Sequence, residues 1–156
     1  MGGSALKLET RMFGEIEYDQ DDIVTFPAGL PSFEDEHSFL LLPLGPAAND
    51  PLCLQSVTTP ALTFVLLNPF SLLPSYAPRL QSKELKELQV ERDEDLAFYV
   101  LCAMKRPVGD STVNLKCPVA VNPDLRIAYQ VILEADDYHM RHPLSEFSHS
   151  EEDAPC

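Results

Sequence analysis

Apolar and polar positions alternate with a period of two in several segments of this chain, the spacing expected of strands that bury one face. Leu6 and Leu8 alternate with Lys7 and Glu9. After a turn at Phe13-Gly14, Ile16 and Tyr18 sit inward between Glu15, Glu17 and Asp19. Ile23, Val24 and Phe26 predict a third short strand, which Pro27 stops. The stretch Pro27-Ala28-Gly29-Leu30-Pro31-Ser32-Phe33-Glu34 is a loop, because two prolines and a glycine exclude regular structure. Phe39 to Leu42 is a continuous apolar run suited to a strand buried on both faces, and Pro43 to Pro51 is a connection. Leu52 to Val57 and Leu62 to Leu67 follow as strands around a turn at Pro60.

From Phe70 to Arg79 the prolines predict extended or irregular chain. Ser82 to Leu88 is the one helix in the reading, with Ser82 as its cap, Glu84 at the positive end of its dipole and Leu85 with Leu88 on one face. Leu96 to Met104 predicts a central strand. Val113, Leu115, Cys117, Val119 and Val121 then point one way, and Asn114, Lys116, Pro118, Ala120 and Asn122 the other. Pro118 has no N–H to give a ladder, so an edge or a bulge is expected there. Asn122-Pro123-Asp124 turns the chain into a last strand with Ile127, Tyr129, Val131 and Leu133 inward, forming a hairpin. Eight or nine short strands and one short helix point to a mostly β, compact, barrel-like single domain, with a sandwich as the other solution.

The length of 156 residues suits one core. Residues 1–5 carry no secretory signal and are set aside as a flexible start or cloning remnant. Residues 145–156 are expected to be an acidic disordered tail. Tyr138, Met140, Leu144 and Phe147 are spaced to let the preceding segment dock.

Asp and Glu number 25 against 11 Lys and Arg, a formal net charge of −14. That balance argues against nucleic acid and against an anionic membrane as partners, and it favours a basic protein through steering. The cysteines at 53, 102, 117 and 156 lack the close pairing of a zinc site, and three lie in apolar runs. Buried reduced thiols place the protein in the cytoplasm. His139-x-x-His142 has no third ligand nearby, and no phosphate-cradling glycine loop exists. No metal, cofactor or catalytic group is therefore expected. Binding remains. The Leu30–Glu34 loop presents Leu30 and Phe33 in a proline-bracketed frame, either as a core plug, with Phe33 closing one end of the barrel, or as an anchor for a partner. Asn114 and Asn122 offer side-chain hydrogen bonds from the polar side of their hairpin.

Taken in order, several of these segments resemble the flagellar assembly factor FliW family. They are Gly29-Leu30-Pro31-Ser32-Phe33-Glu34, Leu54-Gln55-Ser56, Phe64 with Pro69, Val113 through Asn122, and Tyr129-Gln130-Val131-Ile132-Leu133 with Tyr138. No single segment is specific, but five in order at this spacing are. The resemblance spans residues 6–144. Ser32 departs from the glycine usual there, and Val113 from a small residue.

The resemblance implies a compact β-barrel-like fold and a non-catalytic, chaperone-like partner switch. Such proteins bind the RNA-binding translational regulator CsrA, relieving its repression of flagellin synthesis, and bind flagellin in competition. A protein monomeric when free is expected. Leu30, Pro31, Phe33, Glu34, Asn114, Lys116, Pro118 and Asn122 are the candidate contact residues, with strand addition near Pro118 as a possible mode. The other reading is a small-molecule-binding or thiol-dependent β-barrel enzyme using Cys53, Cys102 or Cys117 in a pocket.

Overall fold

A computed structural model of the chain describes residues 6–10, 13–47 and 50–147. The segment 1–5 and the tail beyond 147, with Cys156 and His149, lie outside the described residues. Strands β1 (Leu6–Thr10) and β2 (Gly14–Tyr18) form an antiparallel hairpin of their own. Leu8 and Thr10 bury one face while Lys7 and Glu9 stay exposed, as their alternation predicts. Gly14 turns the hairpin at φ 66°, a left-handed value that glycine takes without steric cost.

The remaining strands are β3 (Val24–Thr25), β4 (Ser38–Pro43), β5 (Leu52–Ser56), β6 (Thr63–Leu67), β7 (Ala97–Ala103), β8 (Thr112–Val113), β9 (Val119–Asn122), β10 (Ile127–Gln130) and β11 (His142–Pro143). Strands β3 to β7 pair in succession, β10 lies parallel to β3, and β9 pairs with both β10 and β7. The last pairing closes a seven-stranded barrel. One edge of β7 is shared: Ala97 to Tyr99 pair with β9, and Cys102 and Ala103 with β8. Strands β8 and β11 extend outward from that second half.

Closure divides the apolar residues by parity. Val24, Phe39, Leu54, Leu66, Val119, Val121 and Ala128 fill one core, which draws on strands all round the barrel. Phe98, Val100, Cys102, Val113 and Ala120 belong to a second core outside β7 and β9. There they meet Tyr76, Leu80, Leu88 and Leu96 from the β6–β7 connection and Val131 and Leu133 after β10. Strand β7 is central, as its apolar run predicts, because both of its faces are covered.

Four expectations change. The 113–121 alternation is not one strand. Asn114 Oδ1 accepts from the Cys117 N–H at 2.9 Å, turning the chain out of the ladder, and Pro118 has no N–H with which to continue one. Nor is the opposite side of that segment polar and wet, since Pro118, Ala120 and Asn122 are buried. There is also a second helix, α1 (Pro69–Leu72), one turn long within the stretch read as irregular. Pro69 occupies its first position, where the missing N–H costs nothing, and Asn68 Oδ1 accepts from the Phe70 N–H at 2.9 Å. Finally, α2 (Ser82–Glu87) is capped by Gln81 rather than Ser82, with Glu84 Oε1 accepting from the Gln81 N–H at 2.9 Å.

Asn122 ties these pieces together. Its Nδ2 donates to the Leu88 carbonyl beyond α2 at 2.8 Å, and its Oδ1 accepts from the Asp124 and Leu125 N–H groups at 3.0 and 3.2 Å. One side chain therefore shapes the β9–β10 turn and anchors the layer outside the barrel. Replacing it by alanine leaves those groups without partners, at about 1–3 kcal/mol. Urea unfolding of Asn122→Ala is expected to show that loss with an unchanged m-value.

Candidate protein-interaction groove

The loop between β3 and β4 is built by its own backbone chemistry. The Leu30 and Phe33 N–H groups exchange bonds with each other's carbonyls at 3.2 and 2.7 Å. Pro31 takes the next position, and Ser32 has φ 70°. A proline followed by a positive φ is the pattern of a type II turn. Ser32 thus adopts a left-handed backbone that a glycine would take freely. Gly29, at φ 67°, is needed on a second count, because a Cβ there would lie 2.6 Å from the Glu34 carbonyl oxygen.

Leu30 is the plug, packed at 2% exposure in the barrel core. Phe33 is not. It is 37% exposed and stands edge-on to Phe64, with ring centroids 5.5 Å apart. Phe64 meets Phe39 at 6.3 Å, and Phe39 meets Phe26 at 5.2 Å, so a line of aromatic rings runs from the surface into the barrel.

The far end of the loop is held by Glu36. Its carboxylate accepts from the hydroxyls of Ser56 (2.6 Å), Thr58 (3.0 Å) and Thr59 (2.5 Å) around the β5–β6 turn. Those bonds, led by Ser56, hold the carboxyl below its ordinary value of 4.5.

Beside this loop lies a groove of about 390 Å³. Leu30 and Pro31 of the loop line it together with Phe64, Leu101, Asn114, Cys117, Gln130, Ile132 and Met140. Ile132 and Met140 are 62% and 57% exposed, an apolar pair facing solvent. Gln130 Nε2 donates to the Cys117 carbonyl at 2.9 Å, while its buried Oε1 has no hydrogen-bond partner.

The eight sequence candidates separate accordingly. Leu30, Pro31 and Asn114 meet in the groove, and Phe33 flanks it through Phe64. Glu34 is exposed on the same loop, with its Oε2 accepting from the Ser32 N–H at 3.2 Å. Lys116 points its ammonium at the Ala135 carbonyl, 2.7 Å away. Pro118 and Asn122 are buried and present nothing to a partner. Strand addition at Pro118 has no open edge to use, because β9 is paired on both sides and the Pro118 carbonyl accepts from the Val131 N–H. Phe64, Leu101, Gln130, Ile132 and Met140 were not among the candidates. Ile132 left one signal, an isoleucine on the outward phase between Val131 and Leu133, although the last strand was read through to Leu133 and ends at Gln130.

The histidine pair has a structural role. His142 Nε2 accepts from the His139 N–H at 2.8 Å, which leaves Nδ1 to donate to the Glu146 carboxylate at 3.1 Å. Among the described residues, no group of three or more potential metal ligands occurs. Cys53, Cys102 and Cys117 are buried free thiols, and burial pushes all three up.

Glu36 yields a pH prediction. Its folded-state value lies below the unfolded one, so its contribution is complete above 4.5 and is lost as pH falls through the depressed value. Glu36→Gln is expected to lower stability at neutral pH, with the gap from the parent protein narrowing on acidification. Urea midpoints measured across that range check the sign.

Comparison with known proteins supplies the family. The family model described as FliW protein matches residues 7–144. The flagellar assembly factor FliW of Geobacillus sp. (strain WCH70) is 41% identical over 139 residues, covering 89% of this chain and 95% of the relative. That of Syntrophomonas wolfei is 36% identical over 147 residues, 94% of each chain. A crystal structure of the flagellar assembly factor FliW superposes with a TM-score of 0.81 at 40% identity, covering 89% of this chain and 96% of that one. With the barrel, the loop and nearly the full length shared, this chain belongs to the FliW family of flagellar assembly factors.

Proposed function

We propose that this flagellar assembly factor works by holding protein partners, binding the translational regulator CsrA to relieve repression of flagellin synthesis and binding flagellin in competition. The observation that supports a binding role is the groove itself. Phe33, Ile132 and Met140 expose apolar surface around a rigid turn, on a protein of net charge −14. Rigid aromatic and aliphatic anchors of this kind contribute most of the affinity at protein interfaces. The negative field accelerates encounter with a basic RNA-binding regulator, and that rate falls with salt. Flagellin enters as the competitor whose unassembled, disordered segments order on capture. The reading places the protein in the cytoplasm, where both partners are made.

Thiol chemistry is the weaker reading. An activated cysteine needs an exposed, electropositive setting that lowers its value, whereas burial pushes all three described thiols up; at Cys117, which lines the groove, burial outweighs the lowering by Asn114 and Lys116. In a Cys156→Ser variant, an aromatic disulfide reagent is expected to react only at the rate of unfolding. Fast modification of a native thiol would revive the enzyme reading.

Calorimetric titration with purified CsrA at low and moderate salt tests the main proposal. Binding that weakens with salt is expected, and flagellin added first should abolish the signal. Phe33→Ala and Met140→Ala are each expected to weaken binding by about 10-fold while leaving the fold intact. Truncation to probe the acidic tail belongs after Phe147. Leu144 and Phe147 pack on the outer core and Glu146 binds His142, so an earlier cut would damage the fold. No complex with either protein, under conditions where both are folded, would end the proposal.

A further inference from the structure

A second apolar depression lies elsewhere on the protein, and none of its lining residues belongs to the groove beside Leu30. Two adjoining hollows of about 370 and 390 Å³ share Phe70, Leu96 and Phe98 among their lining residues. Phe70, on α1, is 41% exposed, and its ring stands edge-on to Tyr76 at 5.8 Å and to Phe98 at 6.4 Å. The aromatic surface is therefore held in place from beneath while its upper side faces solvent.

The rim is acidic. Asp50 comes from the β4–β5 connection, and Asp93 and Glu94 come from the short turn before β7. Arg79 is the one basic residue lining either hollow. The segment that supplies the rim runs Glu91-Arg92-Asp93-Glu94-Asp95, and its arginine is already paired with Asp95 at 3.3 Å. Asp93 is fixed in place by accepting the Leu80 N–H at 3.0 Å. Glu94 is exposed and makes no hydrogen bond among those described.

We propose that this hollow is a second docking site, which takes a positively charged protein segment carrying a large apolar side chain between its basic residues. The apolar side chain covers Phe70, and the flanking lysines or arginines meet Asp50, Asp93 and Glu94. Charge decides the occupant. An acidic rim on an acidic protein repels phosphate-bearing ligands and anionic lipid surfaces, while an uncharged apolar segment would leave the rim carboxylates unused. The argument rests on this hollow alone and holds whichever partner occupies the groove beside Leu30.

The test uses the full chain labelled with ¹⁵N and a capped hexapeptide, Lys-Arg-Leu-Phe-Lys-Arg, as probe. Amide shifts are expected to cluster at Asn68–Leu72 and Leu96–Tyr99. The affinity is expected to fall by about five-fold or more as salt rises from roughly 0.02 to 0.3 M. Glu94→Lys, an exposed substitution with little effect on folding, should weaken binding several-fold. Glu17→Lys, the same charge change on β2 and away from both hollows, should have a much smaller effect. Phe70→Ser should abolish the clustered shifts while the rest of the spectrum is retained. The proposal is overturned by shifts centred on Leu30 and Met140. It is equally overturned if a peptide with Ser for Leu and Phe binds as well, if Glu94→Lys and Glu17→Lys act alike, or if millimolar peptide produces no shifts.

Discussion

The shared edge of β7 is the constraint on which the other features depend. Ala97 to Tyr99 take β9 and so close the barrel, while Cys102 and Ala103 take β8 and hold the C-terminal segment through β11. A single strand cannot present one edge to two partners unless the chain joining them leaves the ladder. Residues 114–118 do so, through the Asn114 side chain and the missing amide of Pro118. This excursion is what brings Asn114 and Cys117 into the lining of the groove with Leu30. The groove is thus a consequence of closure. No separate feature had to be added to the barrel to make it.

The same closure explains the two cores. Inward residues of the barrel fill a space too narrow for anything but side chains. The outward faces of β7 and β9 would be exposed apolar surface if the β6–β7 connection did not cover them. That cover is held by few but buried polar bonds. Asn122 reaches the Leu88 carbonyl, and Tyr76 donates its hydroxyl to the Leu115 carbonyl at 2.7 Å. Burial pushes the Tyr76 phenol far up, so it remains a neutral donor at any physiological pH. The cover also creates the second hollow, where Phe70 is left half-open at its margin.

Acidity and apolar surface act at different ranges on such a molecule. The net charge operates over a Debye length of about 8 Å at physiological salt and steers basic molecules in general before contact. The exposed rings and aliphatic chains act only in contact, where shape decides.

Much of the fold was legible along the chain. Continuous apolar runs located β4 and β7, the longest strands, and period-two alternation located β1 and β2, whose faces differ in burial, together with β9 and β10. Gly29, Pro31 and Ser32 announced the turn, because only a few residue types tolerate its backbone. The −14 charge was likewise plain from the chain alone. Other features depended on contacts between distant segments, which carry no local signal. The two-residue strands β8 and β11 exist only because β7 has a free half-edge. Asn122 was read as facing a partner because its strand alternates, yet the carbonyl that claims it lies thirty-four residues away. Phe33 and Leu30 look equivalent in a loop, and the barrel mouth alone determined which was buried. Short-range chemistry specified turns, strands and charge; closure of the sheet decided which side chains were left for a partner to touch.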